Sequence, residues 1–140
     1  MKKIIVTIVA VCITTATLKA QESLLSSNGN KIDTIAGGTS VVSYLYTPMI
    51  KNLQKTLQIA FVLNKPSGVM NAGIATLEGS LDGINYYPIN NDTLNITNEA
   101  KVTASWKITD WSSLYARIKF VISCSTQSYA EALYLSRKTY

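Results

Sequence analysis

Histidine is absent from this 140-residue chain, and cysteine occurs twice, as Cys12 and Cys124. The first absence removes the commonest general base and the commonest metal ligand. With only Cys124 beyond residue 20, that part of the chain can form no internal disulfide and no zinc–cysteine cluster. A lone thiol without a histidine lacks the usual activating base, and Cys124 shares parity with Leu114, Ala116, Ile118, Phe120 and Ile122. It is therefore expected to face inward as apolar filler.

Charge is sparse as well. Acidic residues number eight, most of them in expected turns, where Asp caps backbone groups. Within the expected sandwich only Glu78 and Glu131 fall in strands, so no carboxylate pair stands out for glycosidic hydrolysis. A calcium site from Asp82, Asn90, Asn91 and Asp92 is conceivable but lacks a recognised loop spacing. Gly37-Gly38 is not followed by the helix and Lys-Ser/Thr of a phosphate loop. The expectation is a chain that is not an enzyme, with no catalytic residue, no metal site and no cofactor.

Hydrophobic runs are short. The longest, Ile4 to Ala16, follows Lys2 and Lys3 and leads to Ala20 before Gln21. A basic head, about 13 apolar positions and a small residue at the cut read as a secretory signal, too short for the roughly 20 apolar residues of a spanning helix. Residues 1–20 are assigned as a signal peptide of helical conformation and the protein as exported, with membrane contact only through this segment if it stays uncleaved. Beyond it, ten basic residues stand against eight acidic ones. They are scattered singly or in pairs, unlike the clustered basic face of a nucleic-acid binder, so nucleic acid is excluded as the partner.

What the chain does have is alternation. No segment after residue 20 repeats apolar residues at i, i+3, i+4, i+7. Residues 21–40, with Ser26-Ser27-Asn28-Gly29-Asn30 and Gly37-Gly38-Thr39-Ser40, read as a flexible N-terminal arm around a short strand at 31–35. Period two then dominates in Val41–Tyr46, Leu57–Leu63, Gly73–Ser80, Ile84–Ile89, Lys101–Ile108, Leu114–Ser123 and Ser128–Ser136. Short strands with turn signals every ten or so residues predict an all-β, antiparallel two-sheet sandwich of Ig-like or jelly-roll type over residues 41–140. The expected core is Leu57, Ile59, Phe61, Leu63, Leu77, Val102, Ala104, Trp106, Ile118, Phe120 and Ile122. Tyr115, Arg117 and Lys119 fall on the wet face of their strand.

Eight tyrosines are numerous for a domain of this size, and an aromatic body with a polar tip suits recognition of sugars and proteins alike. Sandwich loops gather at the two ends, where binding residues concentrate. The turn Asp82-Gly83-Ile84-Asn85-Tyr86 and the connection Thr109-Asp110-Trp111 each set an aromatic beside polar groups. Asp82, Asn85, Tyr86 and Trp111 are therefore the candidate contact residues. The alternative is that Asp82 and Gly83 only make the turn while Tyr86 and Trp111 tuck over the core.

The segment Ala75-Thr76-Leu77-Glu78-Gly79-Ser80-Leu81-Asp82-Gly83-Ile84-Asn85-Tyr86-Tyr87-Pro88-Ile89 resembles the Gly-Ser-x-Asp-Gly-x-Asn-aromatic hairpin of small β-sandwich proteins of tailed-phage virions. Tyr115-Ala116-Arg117-Ile118-Lys119-Phe120 and residues 131–137 stand where those proteins carry their later strands. The resemblance spans about residues 55–138 and implies a virion-associated structural or decoration protein held by protein–protein contacts. Hairpins of this form also occur in secreted carbohydrate-binding and cell-surface sandwiches. A non-catalytic binding module for glycans or cell-surface partners is the second expectation, and the location is extracellular or on a virion surface.

Overall fold

The computed structural model describes residues 21–50 and 55–138; the expected signal segment lies outside them. Ten strands follow in order: β1 (Gln21–Ser23), β2 (Leu25–Ser26), β3 (Ile32–Ile35), β4 (Gly38–Tyr46), β5 (Lys55–Asn64), β6 (Met70–Ser80), β7 (Tyr87–Asn95), β8 (Lys101–Trp111), β9 (Tyr115–Cys124) and β10 (Ser128–Lys138). All pairings are antiparallel. One sheet runs β1–β10–β5–β8, with β3 pairing the same edge of β10 as β1; the other runs β2–β4–β9–β6–β7. The eight strands from β3 onward thus set β3–β10–β5–β8 against β4–β9–β6–β7, which is the jelly-roll order and not the Ig-like one.

Residues 21–40 correct the expectation of a flexible arm. Gln21–Ser23 pairs with Leu133–Leu135, Ile32–Ile35 with Ser128–Glu131, and Leu25 and Ser26 with Tyr46 and Leu45. The polar composition that read as loop reflects strands at the sheet edges, where one side stays wet. Leu24 and Ile35 nevertheless reach full burial. The phenol of Tyr134 donates to the Glu22 carboxylate, fastening β1 to β10. Burial, with that carboxylate, pushes the phenol well above the ordinary tyrosine range.

Burial follows the alternation. β9 reads half-buried and buried in strict turn, with Ala116, Ile118, Phe120, Ile122 and Cys124 inward. They face Leu57, Ile59, Phe61 and Leu63 of β5. Phe61 bridges the sheets, 5.2 Å and edge-on to Phe120 and 5.5 Å from Trp106. Val102 and Ala104, expected in the core, are only partly buried against it, because β8 is the edge strand of its sheet and lacks a neighbour to cover it.

Two local departures matter for the site. The strand expected at Ile84–Ile89 begins only at Tyr87, since the Asp82 carboxylate accepts the amide N–H groups of Ile84 and Asn85 and takes them out of any ladder. Near the end of β8 the register shifts between the Leu57↔Ile108 and Lys55↔Trp111 pairs, and Asp110 adopts φ 59°. That bulge reverses the side-chain parity, so Trp111 turns inward and is 2 % exposed.

Candidate functional site

The outward face of the β9 sheet carries a cluster of charged and aromatic side chains. Cross-strand register places Tyr46, Arg117 and Glu78 in one row, and Tyr44, Lys119 and Thr76 in the next. Antiparallel neighbours directly opposite stand about 5 Å apart at Cβ, so residues distant in sequence become one cluster. Arg117 is its centre. Its guanidinium carbon lies 4.3 Å from the ring centre of Tyr44, 4.1 Å from that of Tyr86 and 6.0 Å from that of Tyr46. Its Nε donates to Glu78 Oε2 at 2.5 Å, with the side chains only 18 % and 6 % exposed.

The turn after β6 positions Tyr86. Asp82 Oδ1 accepts from the Ser80 hydroxyl at 2.8 Å and from the amides of Ile84 and Asn85, while Oδ2 accepts from Asn85 Nδ2 at 2.7 Å. Gly83 holds φ +73°, and a Cβ there would meet the Tyr115 ring at 3.3 Å. The chain therefore leaves the turn with Tyr86 laid over Arg117 and edge-on to Tyr46, at 5.9 Å. Burial raises the Tyr86 phenol above its ordinary range, with the Arg117 charge opposing, so it remains a neutral hydroxyl. A shallow depression of about 450 Å³ lined by Leu25, Ser27, Gly29, Tyr46 and Pro48 adjoins the cluster on the β2 side.

Of the four residues singled out from sequence, the structure brings Asp82, Asn85 and Tyr86 together. Asp82 and Asn85 shape the turn, with each Asp82 oxygen already accepting hydrogen bonds. Tyr86 belongs to the outward cluster. Trp111 is elsewhere: its ring lies in the core, close enough to Gly79 that a Cβ there would stand 3.1 Å from Cη2, and it presents no surface to a partner. Tyr44, Tyr46, Glu78 and Arg117 were not singled out. Their outward parity was readable, but their convergence needs the register of three strands. Of the residues considered for calcium, the side chains of Asn90, Asn91 and Asp92 lie outside those described.

The amides of Asn85 and Ile84, then the side chains of Asn85 and Ser80, hold the Asp82 carboxyl far below the usual carboxylate range. A depressed folded pKa means this contribution is present above the unfolded value near about 4 and is lost as pH falls through and below it. Asp82→Asn should accordingly lose less melting temperature between about pH 6 and about pH 2.5 than the parent does. Equal losses in the two proteins would assign the acid sensitivity to other groups.

No family model matches the chain, and no curated protein sequence matches it. Among solved structures it is similar to a family 4 carbohydrate-binding module, with TM-score 0.51 and 14% identity over 89% of this chain and 83% of that one. It is also similar to the Yersinia pseudotuberculosis-derived mitogen, with TM-score 0.51 and 12% identity over 86% and 88%. A third is the enzymatically active domain of tailspike protein 4 of bacteriophage CBA120, with TM-score 0.52 and 9% identity over 85% of this chain. The match spans 20% of that tailspike chain. The fold is that of the carbohydrate-binding β-sandwiches. Identities this low speak for the fold alone.

Proposed function

We propose that the chain is a non-catalytic glycan-binding module acting outside the cytoplasm, and that the outward face of the β9 sheet is its binding surface. One observation carries the reading: an Arg–Glu pair held among three tyrosines, with Lys119 beside it, on a face otherwise free to meet solvent. A folded domain gains little by gathering so many hydrogen-bonding groups there unless a polar partner meets them. Sugars present what such a face recognises, hydroxyls for the phenols and charged groups and apolar C–H surface for the ring edges. The resemblance to a carbohydrate-binding module supports this reading. The virion reading of the 75–89 hairpin has the tailspike likeness behind it, over a fifth of that chain, and nothing in the site specific to it.

Retention in polysaccharide affinity gels tests the proposal. Tyr44→Ala and Tyr86→Ala should each weaken retention about fivefold to tenfold, the equivalent of roughly 1–1.4 kcal/mol. Trp111→Phe, in the core, should lower the melting temperature and leave retention unchanged. If neither tyrosine variant alters retention while both stay folded, the binding surface lies elsewhere.

A further inference from the structure

We infer that the ligand is an acidic glycan, its carboxylate or sulfate groups met by Arg117 and Lys119; the inference rests on the glycan-binding reading above. The argument begins with what Arg117 has left to offer. Its Nε is committed to Glu78, and neither terminal nitrogen has a hydrogen-bond partner among the described residues. A guanidinium bound through one edge still presents a fork of parallel N–H donors, the geometry that matches a carboxylate or sulfate in two contacts at once.

The fork is also held in place. Tyr44 and Tyr86 cover the guanidinium at 4.3 and 4.1 Å, so little side-chain freedom is left to lose when a ligand arrives, and preorganised donors bind more tightly. The same stacking takes one face of each ring away from a neutral sugar. Each ring turns a face to the guanidinium, and that face is no open platform for a pyranose.

Charge points the same way. Lys119 follows Arg117 on the same side of β9, roughly 6.6 Å along the strand. Its cross-strand neighbours are Tyr44 and Thr76, neither of them acidic. The two central rows therefore carry two cations and one carboxylate, and Glu78 is already paired. Within these two rows the surplus is positive. The nearby Asp82 carboxylate, in the adjoining turn, spends both oxygens on hydrogen bonds inside that turn. A repeating anionic chain could engage both cations at once.

A matched pair of polymers tests this: polygalacturonate, and the same polymer after reduction of its carboxyl groups to neutral hydroxymethyl groups, with a sulfated galactan and neutral xylan alongside. Titration calorimetry of the whole protein should show polygalacturonate or the sulfated galactan bound at least tenfold more tightly than the reduced polymer and xylan. Which of the two anionic polymers wins distinguishes carboxylate from sulfate. Raising NaCl from about 0.1 to about 1 M, which shortens the screening length from roughly 10 to roughly 3 Å, should weaken that binding severalfold. Lys119→Gln, an edit on a half-buried surface position, should weaken it severalfold with the melting temperature kept. Arg117→Lys, which keeps the charge but loses the fork, should weaken it more. Binding in which neither polygalacturonate nor the sulfated galactan exceeds the reduced polymer and xylan overturns the acidic ligand and leaves the glycan reading standing. Binding of none of the four polymers overturns both.

Discussion

Truncating Phe120 to alanine should destabilise the protein by about 3–5 kcal/mol, read from the shift of its urea unfolding midpoint. Phe120 is fully buried, edge-on to Phe61, whose other side meets Trp106. Removing the ring deletes its transfer energy and leaves a void, and the cost is greatest where the surroundings cannot collapse into it. Collapse is restricted here. β9 is hydrogen-bonded to β4 on one side and β6 on the other along most of its length, so its backbone cannot move toward the gap without breaking two ladders. Leucine at the same position should recover part of the loss. A cost below about 1 kcal/mol would show that the aromatic bridge between the sheets contributes little.

Removing Glu78 should cost about 2–3 kcal/mol, toward the low end for a buried pair because Arg117 keeps some contact with water. Glu78→Ala leaves a guanidinium stacked on Tyr44 and Tyr86 with its carboxylate gone and only part of its surface in contact with water. Glu78→Gln keeps an acceptor for Nε and should cost about half as much, which separates the hydrogen bond from the charge. The double replacement Glu78→Leu with Arg117→Met should return most of the lost stability, since an apolar pair of similar volume strands no charge. Chemical denaturation of the parent, Glu78→Leu, Arg117→Met and the double variant closes the cycle. Additive losses would show that the two side chains are uncoupled, against their 2.5 Å contact.

The fold class was legible because β9 alternates without a fault. Its inward set of Ala116, Ile118, Phe120, Ile122 and Cys124 is the set that parity predicts. The reading failed where a local event breaks parity. A bulge at Asp110 sends Trp111 into the core, and no composition signal marks the residue that will take a positive φ. It failed again over 21–40, where strands of two to four residues carry too few positions to display a period. The candidate site was half legible. Tyr86 follows a recognisable Asp-Gly turn, whereas Tyr44 and Arg117 meet only through the pairing of Tyr44 with Lys119 and of Tyr46 with Arg117. Register between strands so distant in the chain is a property of the assembled sheet.

The two strands at the heart of the sheets, β9 and β10, are also the last two described along the chain. A chain emerging from its N-terminus can zip β6 to β7 and lay β8 against β5, but β4 and β6 have nothing between them until β9 arrives. The edge strands β1 and β3 wait longer still, for β10. Assembly of this molecule is therefore a closing step and not a progressive one, governed by contacts between remote parts of the chain, which are slow to form. Nascent chains halted before residue 115 would hold unpaired strands exposed to one another and to their neighbours. Shortening the protein from its C-terminal side should thus split both sheets at once, where a comparable loss from the other end would peel away only edges.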